Sequence, residues 1–109
     1  MKQYVIDQLR PNDHQKLKAY LETHFERGAL PGIYRFFLSS EILDSIQAGH
    51  PECRPYVTVE LEPDRISCEL LVRSCIKMRC DCMGYVNHRQ RDWLIDRFET
   101  ILNELEIAL

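Results

Sequence analysis

Four residues of the chain form two closely spaced pairs of metal-binding side chains. His50 and Cys53 form an H-x-x-C pair, and Cys80 and Cys82 form a C-x-C pair. Imidazole nitrogen and thiolate sulfur are ligands with which proteins hold tetrahedral Zn²⁺. The two pairs could therefore supply four ligands to one zinc ion. This pattern is weaker evidence than two C-x-x-C turns, because side chains two apart on a strand are widely spaced for chelation.

The same cysteines also have a structural interpretation, as apolar residues of a sheet. The segment from Cys75 to Val86 alternates apolar and charged residues, which predicts a strand. In that strand Cys80 and Cys82 share the buried face with Cys68, and free cysteine is commonly buried. We favour three core thiols, and therefore no cofactor, over the zinc site. A Cys68–Cys80 or Cys80–Cys82 disulfide ranks third, because opposed Cβ atoms lie about 4.5–5.5 Å apart and a disulfide needs about 3.8 Å.

Length and composition predict one folded domain spanning residues 1–109. Apolar residues make up 45% and charged residues 28% of the chain, which is typical of globular proteins. The formal net charge of −3 counts against broad binding to a phosphate backbone. The N-terminal region turns polar too early for a signal peptide, and no stretch approaches the ~18 apolar residues of a membrane span. We therefore expect a cytoplasmic protein with no membrane partner, whose odd number of cysteines stays reduced.

Enzymatic motifs are missing from the sequence. It contains no G-x-G-x-x-G, no phosphate-binding G-K-[ST], no G-x-S-x-G and no H-E-x-x-H. The four histidines are scattered, and none has a nucleophile at a recognisable spacing. We therefore name no catalytic residue and favour a protein that is not an enzyme.

The strongest structural signal is a hairpin around Glu62-Pro63-Asp64-Arg65, a tight-turn sequence. Closing this turn pairs Leu61 with Ile66, Val59 with Cys68 and Val57 with Leu70. A second reversal near Ser74 then sets Cys80 opposite Cys68 and Cys82 opposite Ile66. The hydrophobic pattern fixes this register, because a slip of one residue would bury charged side chains.

The remaining segments complete an α+β pattern. Residues 2–9 and 33–38 read as strands, Pro11 and Asn12 open a helix, and a short helix ends at Gly49. Asn87 caps a last helix, with Gln90 in the capping-box position. The order β-α-β-short α-β-β-β-α predicts a two-layer sandwich, a mostly antiparallel five-stranded sheet with helices packed on one face.

The outer face of this sheet carries residue types that are enriched in interfaces. The candidates for an interaction surface are Tyr56, Leu71, Arg73, Lys77, Arg79, Met83 and Tyr85. A Glu69–Arg79 ion pair is expected on the same face. Aromatic and basic residues together could also stack single-stranded bases, but the acidic net charge makes nucleic acid the weaker alternative.

Trp93 and Ile107 lie far from the main apolar stripe of the last helix. Either the chain itself covers them or they contact a partner. We predict a non-enzymatic interaction module that contacts a protein partner or forms a homodimer, with Trp93 among the candidate contacts. The zinc or thiol site and the weak nucleic-acid binder are the alternatives.

Overall fold

A computed structural model describes residues 2–76 and 79–108 of the chain. It has the predicted α+β architecture, an antiparallel sheet with helices packed on one face. The strands are β1 (Gln3–Ile6), β2 (Glu26–Arg27), β3 (Ile33–Phe37), β4 (Tyr56–Leu61), β5 (Ile66–Glu69), β6 (Leu71–Val72) and β7 (Gly84–Tyr85). The helices are α1 (Pro11–His24), α2 (Ser45–Ala48) and α3 (His88–Glu104), with single 3₁₀ turns at Ser40–Ile42 and Pro51–Cys53.

Across the described residues, the main sheet has five strands in the order β1-β5-β4-β3-β2. The β4–β5 hairpin has the predicted register, with Leu61 opposite Ile66 and Val59 opposite Cys68. Buried and partly exposed side chains alternate along all of β4, as the period of a half-buried strand requires. Hydrophobic alternation and turn chemistry were therefore sufficient to predict this hairpin.

The prediction that residues 75–86 form a third strand beside this hairpin is wrong. Its place next to β5 is taken by β1, in which Tyr4 pairs with Cys68 and Ile6 pairs with Ile66. The chain between Cys75 and Met83 forms no strand in its described residues. Cys80 and Cys82 therefore do not lie opposite Cys68 and Ile66.

The chain leaves the main sheet after β5 through a local break in the pairing. Leu70 donates its N–H to the Lys2 carbonyl on one side, and its own carbonyl accepts the N–H of Val86. Beyond this break Tyr56 pairs with Arg73, two residues further along than the predicted register would give. The predicted Val57–Leu70 pair is replaced by this offset. As a result, the following segment turns away from the sheet towards α2.

The core lies between the sheet and two helices. Leu17 and Leu21 of α1 and Leu94 and Ile101 of α3 are almost completely buried against the sheet. Burying a leucine or isoleucine side chain contributes about 1.5–3 kcal/mol, so this one-sided packing is the main stabilising term. Cys68 belongs to the same core, as predicted.

The chain itself covers the two apolar residues on the far side of α3. Trp93 stacks on Phe36 of β3 at a ring-centroid distance of 5.4 Å and packs against the core. Ile107 is buried behind the end of the helix. The sequence left open whether these residues are covered by the chain itself or contact a partner. In the structure the chain itself covers them, and Trp93 is half-buried.

Candidate metal centre

The two predicted ligand pairs lie in two separate loops that meet beside the sheet. His50 directly follows Gly49, the C-cap of α2, and Cys53 ends the Pro51–Cys53 turn. Cys80 and Cys82 lie in the loop between β6 and β7. Thirty residues separate His50 from Cys80, so the fold and not local sequence brings the pairs together.

The four donor atoms form a compact cluster. His50 Nδ1 lies 3.0 Å from Cys80 Sγ, and Cys53 Sγ lies 4.0 Å from the same sulfur. With Cys82 Sγ included, all four donor atoms lie within 4.8 Å of one another. Zn–S bonds of about 2.3 Å in a tetrahedron place sulfur atoms about 3.8 Å apart. The observed spacings are close to those of a tetrahedral zinc site.

Burial divides the four ligands into an inner and an outer pair. Cys53 and Cys82 are 0% and 2% exposed, whereas His50 and Cys80 are partly accessible. The ion would therefore be enclosed on one side by protein and reachable from the other. This is the arrangement that a site with an entry path requires.

The two sulfur atoms of the C-x-C pair differ in proton affinity. The pKa of Cys80 is lowered to about 7, first because the backbone N–H of Cys82 hydrogen-bonds its sulfur, with further hydrogen bonds from Cys82, His50 and Cys53. Burial, followed by the hydrogen bond to Cys80, raises the pKa of Cys82 to about 12. Cys80 is therefore the sulfur of this pair that ionises first, and the neighbouring thiols donate hydrogen bonds to it. A divalent cation would take the place of the shared protons, since zinc binds deprotonated sulfur.

A chain of buried amides holds the loop that carries Cys82. The Gln47 side-chain N–H donates to the Cys82 carbonyl oxygen at 3.3 Å. Gln90 in turn donates to the Gln47 side-chain oxygen at 2.7 Å and to the Ile42 carbonyl at 3.1 Å. Gln47 and Gln90 are 3% and 1% exposed. Such outer partners fix the orientation of metal ligands.

Helix caps position both members of this amide chain. Asp44 caps α2 and exchanges hydrogen bonds with Gln47, and Asn87 caps α3 and exchanges hydrogen bonds with Gln90. The predicted Asn87–Gln90 capping box is confirmed. The equivalent Asp44-x-x-Gln47 pattern is visible in the sequence and could have identified Gln47, but its link to Cys82 depends on the tertiary fold.

Backbone hydrogen bonds and a neighbouring cysteine complete the surroundings of the cluster. The Cys75 N–H donates to the Cys53 carbonyl at 2.8 Å, which ties the two loops together. The Cys75 thiol instead donates to the Arg54 carbonyl and accepts from Arg35 Nη1, both at 3.7 Å. All five cysteines are free thiols, as expected, and Cys75 lies outside the four-residue ligand set.

The residues predicted for an interaction surface are dispersed. Tyr56 and Arg73 pair at the start of β4, whereas Leu71 and Tyr85 pair in the separate β6–β7 ladder. Tyr85 is 54% exposed, Met83 is half-buried and Arg79 is exposed in the Cys80 loop. Lys77 lies outside the described residues.

The expected Glu69–Arg79 ion pair is replaced by a different one. Glu69 accepts from Arg73 at 2.9 Å, because the break after β5 places Arg73 next to it. Three further side chains, which the sequence did not reveal, surround the predicted Tyr56 on the outer face. Arg35 lies over the Tyr56 ring at 5.0 Å, Arg54 lies over Phe37 at 4.3 Å, and the Phe37 and Tyr56 rings are 5.9 Å apart. Alternation in β3 opposite β4 could have identified Arg35 and Phe37.

Comparison of the chain with models of known protein families, with curated proteins and with solved structures gave no match. Among the described residues, no helix has the length and apolarity needed to cross a membrane. The geometry of the four-residue cluster is therefore the basis for a functional proposal.

Proposed function

We propose that the chain is a zinc-stabilised domain that holds one Zn²⁺ through His50, Cys53, Cys80 and Cys82. The observation that supports this proposal is the convergence of four ligand atoms within 4.8 Å from two loops. Packing alone gives no reason for three thiols and an imidazole to meet beside the sheet. One nitrogen and three sulfur ligands are a standard structural zinc set.

The proposed role of the ion is structural. Four protein ligands fill a tetrahedron and leave no position for water or substrate, whereas catalytic zinc sites keep one position open. The ion would close the loops around His50 and Cys80 into one unit, in a region with little regular secondary structure. A structural ion supports a role as a binding or accessory domain, and the sequence contains none of the enzymatic motifs considered above.

Zinc titration of reduced, metal-free protein tests this proposal. We expect wild-type protein to bind one Zn²⁺ per chain in competition with a chelating indicator. Cys80→Ser removes a ligand sulfur and is expected to weaken binding by at least about tenfold. Cys75→Ser is the matched control, because it removes a nearby thiol that lies outside the ligand set. Failure of the wild type to bind, or equal losses in both variants, would overturn the proposal.

A second proposed function is contact with another copy of the chain through the outer-face cluster, which consists of Arg35, Phe37, Arg54 and Tyr56. Its stacked aromatic and guanidinium groups are residue types that dominate interfaces. Arg54 directly follows the ligand Cys53, so zinc binding would also order this surface.

Light scattering after size-exclusion chromatography, over a series of protein concentrations, tests the second proposal. We expect a dimer that Phe37→Ala converts to monomer. Ile46→Ala, which truncates an exposed side chain away from the sheet, should leave the dimer unchanged. A wild-type monomer at every concentration would contradict self-association.

A further inference from the structure

A cleft of about 520 Å³ lies between α1 and the loop that joins β2 to β3. Its volume falls within the range of about 300–1,000 Å³ that small-molecule sites occupy. Its lining residues come from α1, from residues 27–34 and from Leu61, and none of the four proposed zinc ligands is among the described residues that line it. This cleft is therefore separate from the metal centre.

One wall of the cleft is a polar stripe of α1. His14, Lys18 and Glu22 recur every four residues and so share one face of the helix. Glu22 accepts hydrogen bonds from Tyr34 Oη at 3.1 Å and from Arg27. The Arg27 hydrogen bond is the main reason that the pKa of Glu22 lies below its ordinary value. The Glu22 carboxylate is therefore charged and already paired.

The charges around the cleft do not cancel. Arg27 pairs directly with Glu22, whereas Lys18 acts on Glu22 only through its charge and has no ion pair or hydrogen bond of its own among the described residues. One positive charge thus remains on the wall, next to the imidazole of His14. An occupant with one negative charge would complement this balance.

The opposite wall is apolar and has a constrained backbone. Ala29, Leu30, Pro31 and Ile33 line it, and Leu30 is 68% exposed at the edge. Gly32 has a φ of +81°, and a Cβ there would lie 3.0 Å from the Leu61 carbonyl. This glycine therefore allows the loop to lie close to β4. An exposed leucine beside an apolar wall favours an occupant with an apolar body.

We propose that this cleft binds a small organic monoanion with an apolar body, such as an aliphatic carboxylate. The carboxylate lies between Lys18 and His14, and the hydrocarbon part packs against Leu30, Ile33 and Leu61. The preference for such a ligand follows from the net positive charge of Lys18, Arg27 and Glu22 and from the apolar loop on the opposite side of the same cleft.

Titration with sodium hexanoate, followed by amide chemical shifts of the intact protein, tests this inference. We expect saturable shifts that cluster at residues 28–33 and around Lys18. Acetate lacks the apolar body and hexylammonium has the opposite charge, so both should bind at least about tenfold more weakly.

Two variants with the same change in net charge complete the experiment. Lys18→Gln should weaken hexanoate binding about tenfold, whereas Gln15→Glu, also on α1 but outside the cleft, should leave it within about twofold. Both positions are exposed, so both variants should fold. Shifts that do not saturate, equal binding of hexylammonium, or equal losses in the two variants would overturn the inference.

Discussion

The β4–β5 hairpin and the two loops around His50 and Cys80 both enclose cysteine, but different forces hold them. In the hairpin, regular backbone pairing and alternating apolar residues bury Cys68 within the main core. In the loops, Cys53 and Cys82 are equally buried but lie outside that core, among other sulfur and nitrogen atoms. The backbone there is irregular, and Arg54 adopts a left-handed conformation with φ of +46°.

This difference shows that burial alone does not decide the role of a cysteine. Desolvation raises the pKa of Cys68 to about 12, so its thiol stays protonated and acts as an apolar side chain. Hydrogen bonds lower the pKa of Cys80 to about 7, which favours the thiolate that a metal requires. The hairpin is stabilised by packing, and we expect the loops to be stabilised by zinc.

Removal of zinc should have the largest effect and should act on the loops. A ligand that binds only the folded state stabilises it by about 4 kcal/mol at a free concentration 1,000 times its Kd. Excess chelator should therefore lower the unfolding temperature of wild-type protein steeply. Cys80→Ser, which binds zinc more weakly, should unfold at a lower temperature than wild type at the same zinc concentration, and chelator should lower that temperature by less. If chelator leaves the unfolding temperature of the wild type unchanged, zinc does not stabilise the loops.

A cavity in the hairpin should destabilise the fold independently of zinc. Val59 is fully buried, and truncation to alanine should cost about 2–3 kcal/mol in transfer and cavity energy. Denaturant unfolding should show the same loss with and without zinc, and zinc affinity should stay within about twofold. A loss confined to the zinc-bound form would mean that the two regions are not independently stabilised.

Gln47→Leu should have a smaller effect, at the junction of the loops with the helices. It leaves the Cys82 carbonyl and Gln90 without their buried partner, at a cost of about 1–3 kcal/mol. Zinc affinity should fall about 10–100-fold if Gln47 orients the ligand loop.

Ser45→Ala is the control for Gln47→Leu, because Ser45 is exposed in the same short helix. It should change neither the free energy of unfolding nor the zinc affinity appreciably. If Gln47→Leu loses stability but keeps the zinc affinity of the wild type, Gln47 has a packing role and does not orient the ligand loop.

Thiol reactivity should separate the two regions without changing stability. In zinc-free protein, the alkylation rate of Cys80 should rise with pH with a midpoint at about pH 7, because its pKa is lowered to about 7 and the thiolate is the nucleophile. Cys68 should not react in the folded protein at pH 8, since its pKa is raised and it is buried. Mass spectrometry of alkylated peptides measures both rates, and added zinc should protect Cys80. Equal rates for Cys68 and Cys80 would contradict the assigned environments.

The sequence predicted the structure best where a segment could pair only with its immediate neighbour along the chain. The turn sequence Glu62-Pro63-Asp64-Arg65 and the apolar alternation on either side of it were enough to predict the register of β4 with β5. The Asn87 cap was enough to predict the start of α3. The same alternation between Cys75 and Met83 predicted a strand that does not form. β1 occupies that position beside β5, with Tyr4 opposite Cys68 and Ile6 opposite Ile66. Two segments with apolar alternation thus compete for one edge of β5, and neither sequence alone shows which of them pairs there.

The candidate site was only partly predictable for a related reason. The four ligand types were recognisable, but their convergence depends on the break at Leu70, which directs the following loop towards His50. Placing Cys80 and Cys82 in a strand made the zinc interpretation the less favoured one. The amide chain through Gln47 and Gln90 joins three distant segments, and no local pattern encodes such a link.

The most direct test of the zinc centre is X-ray absorption spectroscopy at the zinc edge of protein loaded with one equivalent of zinc. We expect three sulfur neighbours at about 2.3 Å and one nitrogen at about 2.0–2.1 Å in the wild type, and one sulfur fewer in Cys80→Ser. A shell of only nitrogen and oxygen, or a wild-type spectrum unchanged in Cys80→Ser, would contradict the proposed zinc centre.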